Sequence, residues 1–245
     1  MNVLEVRELR KTYPAFTLKG VSLDVPQGAI VGFIGRNGAG KSTTLKSILG
    51  LVHPDGGTVQ AFGLDYAANE AAIRRRIGVV LGGIDFYPKK RVGVITDVTR
   101  RFYSNWDEKK YRHYLELFAI DESKRVDQLS SGMKVKYMIA LALSHGAELL
   151  LLDEPTSGLD PVSRDELVEL FRHIVADGTR SILFSTHITS DLEKCASHIA
   201  FIKDGEMLYN GGAADFRERF RDKGETMEDI IVAVERRELD DSAII

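Results

Sequence analysis

The chain begins with short runs in which apolar and polar residues alternate. Residues 3–6 and 21–25 follow this pattern, which predicts two half-buried antiparallel strands. Residues 29–34 form an apolar run with valine and isoleucine, which predicts a buried strand, and residues 43–49 carry leucine and isoleucine at helical spacing. The chain is therefore predicted to start with a β layer and to continue into a strand, a loop and a helix.

Strand and helix patterns then alternate, except in one block where only helices are predicted. Strands are predicted at residues 58–62, 77–81, 148–153, 181–184, 199–202 and 206–209, and helices at 67–76, 92–103, 107–120, 131–143, from 160 onwards and from a capping box at 190–193. The helical block interrupts an α/β core, which indicates an inserted subdomain. We therefore predict one domain over residues 1–245, with 1–84 and 148–245 as the core and 85–147 as the helical subdomain.

The loop between the first buried strand and the first helix, residues 35–43, matches the phosphate-binding pattern G-x-x-x-x-G-K-[ST]. Glycines let the backbone turn its N–H groups towards phosphates, and the helix start adds unpaired donors and a positive dipole end. We expect Lys41 to reach the β- and γ-phosphates and the Ser42 hydroxyl to hold Mg²⁺. The residues expected to bind nucleotide here are Gly35, Asn37, Gly38, Ala39, Gly40, Lys41, Ser42 and Thr43.

Two adjacent carboxylates end the apolar strand of residues 148–153, which contains four consecutive leucines. A strand this apolar is typical of a parallel sheet covered on both faces, so Asp153 is expected at the carboxyl edge, beside the phosphate loop. There Asp153 can join the Mg²⁺ shell, and Glu154 can orient and polarise water. The sequence thus predicts chemistry at this edge of the sheet.

Composition narrows the class of protein. The net charge of −3 gives no reason to expect nucleic acid or an anionic membrane surface as a partner. A single cysteine, Cys195, excludes an internal disulfide and fits a reducing compartment. The first residues lack the layout of a secretory signal, and no apolar run approaches the roughly 18 residues of a membrane helix. We therefore expect a cytoplasmic protein whose membrane work goes through a partner.

Three further motifs carry a family resemblance. Residues 129–133 read Leu-Ser-Ser-Gly-Met and resemble the signature motif, LSGGQ in its usual form, of ATP-binding cassette (ABC) ATPases. Residues 154–160 resemble the family's stretch from the catalytic acid to the D-loop, and residues 185–187 resemble its switch-histidine motif. The resemblance implies a P-loop NTPase fold with a RecA-like α/β core, an N-terminal antiparallel β layer and an inserted helical subdomain. It also implies ATP and Mg²⁺ as cofactors.

The resemblance implies roles for individual residues. Glu154 would be the catalytic carboxylate, and His187 would contact the γ-phosphate. Asp160 would lie beside the nucleotide. Independently of the resemblance, Tyr13 is an aromatic residue ahead of the phosphate loop, and it either stacks on the base or serves in packing. A helix start offers donors to an anion, and in the family two copies meet head to tail around two ATP molecules. The residues expected to touch the ATP of the second copy are Ser130, Ser131 and Gly132.

The chain departs from the family pattern at two places. Gly82 stands where the family usually has a glutamine that touches the metal or water and couples to the membrane partner, and Asp85 is the nearest polar substitute. The signature carries Ser131 for the first glycine and Met133 for the glutamine. Neither signature change removes the helix-start donors, so ATP binding is expected to survive, while turnover and coupling depend on what replaces the glutamine.

Residues 101–107 and 129–145 resemble the small single-cassette ATPases of bacterial type-2 ABC exporters. This implies an ATP-dependent homodimer at the inner face of the cell membrane, driving a separate permease. The groove near residues 82–92 is either the docking surface for that permease or a plain loop into the helical block. Two alternatives remain open at this point. One is an ABC ATPase that acts on nucleic acid or ribosomes, although no second cassette or zinc module is visible. The other is an ATP sensor with slow turnover, suggested by Gly82.

Overall fold

Two β-sheets form the centre of the computed structural model, which describes residues 1–81 and 87–236. The strands are β1 (Asn2–Tyr13), β2 (Phe16–Pro26), β3 (Ile30–Ile34), β4 (Gly56–Ala61), β5 (Leu64–Asp65), β6 (Ile77–Val80), β7 (Leu149–Asp153), β8 (Ser181–Thr186), β9 (His198–Lys203) and β10 (Glu206–Gly212). The helices are α1 (Lys41–Ile48), α2 (Tyr66–Arg74), α3 (Val92–Thr99), α4 (Glu108–Leu117), α5 (Ser131–Ser144), α6 (Pro161–Val175), α7 (Thr189–Cys195), α8 (Ala213–Arg219) and α9 (Met227–Glu235). Short 3₁₀ helices lie at Arg100–Phe102, Val126–Gln128 and Arg221–Lys223.

The smaller sheet is antiparallel and has the order β2-β1-β4-β5. Both of its long strands exceed the predicted ranges, because β1 and β2 stay paired from Asn2 opposite Pro26 to Tyr13 opposite Phe16. In β2, Val21, Leu23 and Val25 are buried in the predicted alternation, whereas register shifts interrupt the alternation in β1. The turn of this long hairpin, between Tyr13 and Phe16, therefore lies at the opposite end of the two strands from Asn2 and Pro26.

The larger sheet has the order β10-β9-β3-β8-β7-β6, and every neighbouring pair is parallel except β10 with β9. The four leucines of β7 divide between its faces. Leu149 and Leu151 pack in the cluster shared with the antiparallel sheet and α1, whereas Leu150 and Leu152 pack in the cluster shared with α5 and α6. The prediction of a sheet covered on both faces is confirmed, and it explains why β7 is apolar throughout.

Helices α3, α4 and α5 share a third apolar cluster, and α5 connects it to the large sheet. Tyr137 and Leu141 of α5 belong to this cluster, whereas Ile139 faces the sheet side. The buried Thr96 hydroxyl lies 2.6 Å from the Tyr111 hydroxyl and 2.9 Å from that of Tyr137, so the polar atoms of this core are paired. Among the described residues, none of the helices is both long and apolar enough to cross a membrane.

Several element boundaries differ from the predictions. Helix α1 begins at Lys41 rather than at residue 43, because the chain turns into the helix directly after Gly40. The capping box predicted at Ser190 is wrong, since α7 already begins at Thr189 and its N-cap is Ile188. The Thr186 hydroxyl accepts the Ile188 N–H there. The helix predicted over 92–103 ends as α3 at Thr99 and continues as a 3₁₀ turn.

Candidate functional site

The phosphate loop connects β3 to α1 and has no room for side chains at its two ends. A Cβ on Gly35 would lie 2.2 Å from the backbone oxygen of Ile202, and one on Gly40 would lie 2.6 Å from a Leu18 methyl carbon. Gly40 also has a φ of 116°, which L residues rarely adopt. Helix α1 starts directly after it without a side-chain cap, so the N–H groups of its first turn keep their capacity to bind an anion.

Lys41 lies under the loop and is only 5% exposed. Its Nζ donates to the Gly35 carbonyl at 2.6 Å and to the Arg36 carbonyl at 3.3 Å. The same Nζ lies 3.3 Å from Glu154 Oε1. A buried ammonium needs such partners, and they fix its position between the loop and the end of β7.

The two carboxylates predicted at the end of β7 have different surroundings. Asp153 is 7% exposed, and the Ser185 hydroxyl donates to its Oδ1 at 2.6 Å. The Ser185 Oγ also accepts the Glu154 N–H at 2.9 Å. Glu154 has a φ of 50°, a left-handed backbone that turns its side chain out of the strand pattern. Ser185 thus connects the two acidic residues, a contact that the sequence did not reveal.

His187 follows β8 and meets the same glutamate from the other side. Its Nδ1 lies 2.7 Å from Glu154 Oε2, and the ring is 44% exposed. Glu154 is therefore held at Oε1 by Lys41 and at Oε2 by His187. Three residues that are remote along the chain therefore meet at the carboxyl edge of the large sheet.

A cleft of about 400 Å³ lies over this contact, and we call it the phosphate-loop cleft. It is lined by Tyr13, Phe16, Arg36, Asn37, Gly38, Gly40, Lys41, Ser42, Thr43 and Glu154. Tyr13, 38% exposed, reaches it from the turn of the β1 and β2 hairpin. Phe16, three residues further on, was not identified from the sequence, and the only signal for it was a second aromatic residue in the same turn.

The signature residues begin helix α5. The Ser130 hydroxyl caps the helix by accepting the Met133 N–H at 3.2 Å, Ser131 is exposed, and Gly132 is buried near Ser163. Asp160 caps α6 and accepts N–H groups from Val162 and Ser163 at 3.0 Å.

Hydrogen bonds to Asp160 from the Ser163 side chain, and then from the backbone, lower the pKa of its carboxyl. None of residues 130–132 or 160 is among the described residues that line the phosphate-loop cleft. Gly82, Asp85 and Phe86 lie outside the described residues, as does the tail from 237 to 245.

A scan against protein-family models finds the model described as ABC transporter, which matches residues 18–157. The chain belongs to the ABC transporter family. The match begins in β2 and ends after β7, so it includes the phosphate loop, the signature residues and both carboxylates. The identification from the motifs is confirmed, as are the P-loop α/β fold and the function of an ATP-binding and ATP-hydrolysing transporter subunit.

Individual relatives of this ABC ATPase agree with the family match. The bacitracin transport ATP-binding protein BcrA of Bacillus licheniformis is 34% identical over 209 residues, which cover 84% of this chain and 68% of the relative. The Nod factor export ATP-binding protein I of Burkholderia orbicola is 34% identical over 214 residues, covering 85% of this chain and 70% of the relative. A solved structure of the ATP-binding subunit of an ABC transporter superposes with a TM-score of 0.83 at 30% identity, covering 94% of this chain and 98% of the other.

The ABC ATPase has a second cleft, of about 430 Å³, beside the edge strand β6, and we call it the apolar cleft. It is lined by Leu49, Leu51, Arg74, Ile77, Val79, Thr99, Tyr103, Met138, Leu141, Ala142 and His145. Leu51 at its rim is 57% exposed, whereas His145 is 3% exposed. Burial lowers the pKa of His145 to about 4, so its ring is neutral at physiological pH.

Proposed function

We propose that this ABC ATPase is the energy-supplying subunit of an exporter, that two copies close around ATP and Mg²⁺, and that a separate permease holds it at the inner face of the cell membrane. The observation that carries the proposal is an incomplete site. The phosphate-loop cleft contains Lys41 and Glu154, but the signature residues 130–132 do not line it. The names of two relatives, which refer to bacitracin transport and Nod factor export, support the exporter assignment.

The residues of the cleft fit ATP and Mg²⁺. The uncapped start of α1 and the Lys41 ammonium suit the phosphates, because they offer backbone donors and a positive charge at one place. The Ser42 hydroxyl lines the cleft, and the buried Asp153 carboxylate ends β7, which is separated from β3 by β8. Mg²⁺ prefers such hard oxygen ligands and keeps several waters. We propose Ser42 and Asp153 as its protein ligands, and Tyr13 as the residue that stacks on the base.

Glu154 is placed to accept a proton. A γ-phosphate bound at Lys41 competes with Glu154 Oε1 for the ammonium, which leaves that oxygen available to a water molecule. As the water oxygen attacks the γ-phosphorus in line, Glu154 takes a proton from the water. The bond from the γ-phosphorus to the β,γ-bridging oxygen breaks, which gives ADP and phosphate. His187, already 2.7 Å from Oε2, keeps the carboxylate oriented.

The exposed start of α5 supplies the missing half of the site. Ser130 and Ser131 are exposed on a helix of 14 residues, and the backbone N–H groups there carry a positive dipole end. In the proposed dimer, residues 130–132 of each copy face the γ-phosphate held by the phosphate loop of the other. Asp160, at the start of α6, lies at the same interface.

Complementation between two inactive variants tests this arrangement. Lys41→Ala disables the phosphate loop, and Ser131→Arg blocks the helix start, so each variant alone should lack ATPase activity. A mixed dimer contains one site built from two intact halves, so mixing should restore about a quarter of wild-type activity if subunits pair at random. A mixture that stays as inactive as its components would contradict the shared site.

Trapping the dimer gives an independent measurement. Glu154→Gln should bind ATP but hydrolyse it slowly, and should elute as a dimer in size-exclusion chromatography with ATP and Mg²⁺. Lys41→Ala is the matched control and should elute as a monomer under the same conditions. A Glu154→Gln protein that remains monomeric at saturating ATP would refute the dimer.

We propose the apolar cleft as the contact for a short amphipathic segment of the permease. The exposed Leu51 offers an apolar anchor at the rim, and β6 at its side leads directly to residue 82, where the sequence predicts docking. Leu51→Asp should leave the ATPase activity of the isolated chain unchanged and abolish its stimulation by the co-expressed permease. Undiminished stimulation would place the contact elsewhere.

A further inference from the structure

A further cavity adjoins the phosphate-loop cleft, and we call it the rear cavity. It measures about 350 Å³ and is lined by Ala15, Phe16, Arg36, Asn37, Gly38, Ala39, Asp204 and Glu235. Four of these residues, namely Phe16, Arg36, Asn37 and Gly38, also line the phosphate-loop cleft. The phosphate loop therefore separates the phosphate-loop cleft from the rear cavity. Asp204 and Glu235, from the C-terminal part of the chain, line only the rear cavity.

Glu235, the last residue of α9, contacts the phosphate loop. Its Oε1 accepts the N–H of Arg36 at 3.4 Å, and the residue is only 8% exposed. The carbonyl of the same Arg36 accepts from Lys41 Nζ at 3.3 Å. The backbone of Arg36 is thus held at its N–H by Glu235 and at its carbonyl by the lysine of the phosphate loop.

Contacts at both ends of α9 fix the position of Glu235. At the start of the helix, Thr226 and Asp229 form a capping box, and Met227 and Ile230 are buried in the core. At its end, Lys203 Nζ donates to the Val234 carbonyl at 2.7 Å, a favourable place for a cation. The carboxylate is presented to the loop by a helix that is anchored independently of the loop.

The turn between β9 and β10 holds the loop at a second point. The Gly205 N–H donates to the Ala39 carbonyl at 3.0 Å, and the Gly205 carbonyl accepts from Lys19 N at 2.9 Å. A Cβ on Gly205 would lie 1.9 Å from the Thr17 oxygen, so the turn is tightly packed against β2. Both contacts to the loop, from Glu235 and from Gly205, come from residues beyond position 157, where the family match ends.

We propose that Glu235 is a positioning residue, which holds the Arg36 backbone so that the phosphate loop keeps its nucleotide-binding shape. Through this contact, α9 sets the affinity for ATP. The inference rests on the proposed use of the loop for ATP. Loss of the acceptor leaves the Arg36 N–H unpaired and lets the loop relax, so Glu235→Ala should weaken ATP binding about three- to tenfold.

The test measures ATP dissociation constants by calorimetry, together with kcat and KM, on the full chain. Glu235→Ala should raise Kd and KM with little change in kcat, whereas Glu235→Gln, which keeps an acceptor oxygen, should behave as wild type. Glu228→Ala is the matched control, because Glu228 lies on the same helix and is exposed. It should change neither constant.

Each outcome decides a separate point. If wild type binds no ATP, the proposed function fails; if wild type binds and Glu235→Ala binds equally well, only this inference fails. A Glu235→Gln protein as weak as Glu235→Ala would make the charge responsible and overturn the inference. Should Glu235→Ala not fold, Lys203→Met loosens the end of α9 without touching the loop, and it should also raise Kd. An unchanged Kd in a folded Lys203→Met protein would contradict the role of α9.

Discussion

Lowering the pH from about 8 to about 5 should cost the folded state about 2 kcal/mol through one side chain, His145. The residue is 3% exposed, and its ring stacks on Tyr103 with 3.8 Å between ring centroids. Its Nδ1 has no hydrogen-bond partner among the described residues. Burial lowers its pKa from 6.5 to about 4, although the backbone groups of His145 and Arg75 favour the protonated ring and act in the opposite direction.

The sign follows from the order of the two pKa values. The folded value lies below the unfolded one, so the contribution to stability is complete above about 6.5 and is lost as the pH falls towards 4. A difference of one pKa unit corresponds to about 1.4 kcal/mol, so the limiting loss is about 3 kcal/mol. By linkage, about 2 kcal/mol of this loss is reached at a pH of about 5.

Urea unfolding at both pH values measures this loss. His145→Phe keeps an aromatic ring against Tyr103 but does not titrate, so its free energy of unfolding should fall by about 2 kcal/mol less than that of wild type. All other groups titrate in both proteins, and their effects cancel in the comparison. His173→Phe, at an exposed position, is the matched control and should lose as much stability as wild type. Equal losses in wild type and His145→Phe would refute the reasoning.

Two further substitutions test the site itself. Ser185→Ala removes the hydroxyl between the two site carboxylates and should lower kcat roughly tenfold with ATP affinity kept, measured by steady-state kinetics. Ser181→Ala, on the same strand but bonded to the Gly28 N–H, should leave kcat unchanged; equal effects would contradict the role of Ser185. Gly35→Ala forces a methyl against the Ile202 oxygen and should destabilise the fold by about 1–3 kcal/mol in urea unfolding. A Gly35→Ala protein as stable as wild type would show that the loop can shift at no cost.

The parts of the site that depend on neighbours in sequence could be predicted from sequence. The phosphate loop lies between an apolar strand and a helix, and Gly38 and Gly40 have a backbone shape that other residues rarely adopt. The four leucines of β7 indicate burial on both faces, which places Asp153 and Glu154 at the carboxyl edge of the sheet. In each case spacing of a few residues carries the information, because strand and helix periodicity are local properties.

The contacts between distant segments were decided by the tertiary structure. Ser185 bridges Asp153 and Glu154 because β8 lies beside β7 in register, and Phe16 reaches the cleft because the β1 and β2 hairpin is longer than its sequence pattern indicates.

Glu235 meets Arg36 only after α9 packs against α7 and beside the end of β9, and His145 is neutral only because other elements bury it. A sequence determines which residues prefer strand, helix or turn, whereas burial and hydrogen bonding depend on what packs against them. That packing brings together residues that no local pattern relates.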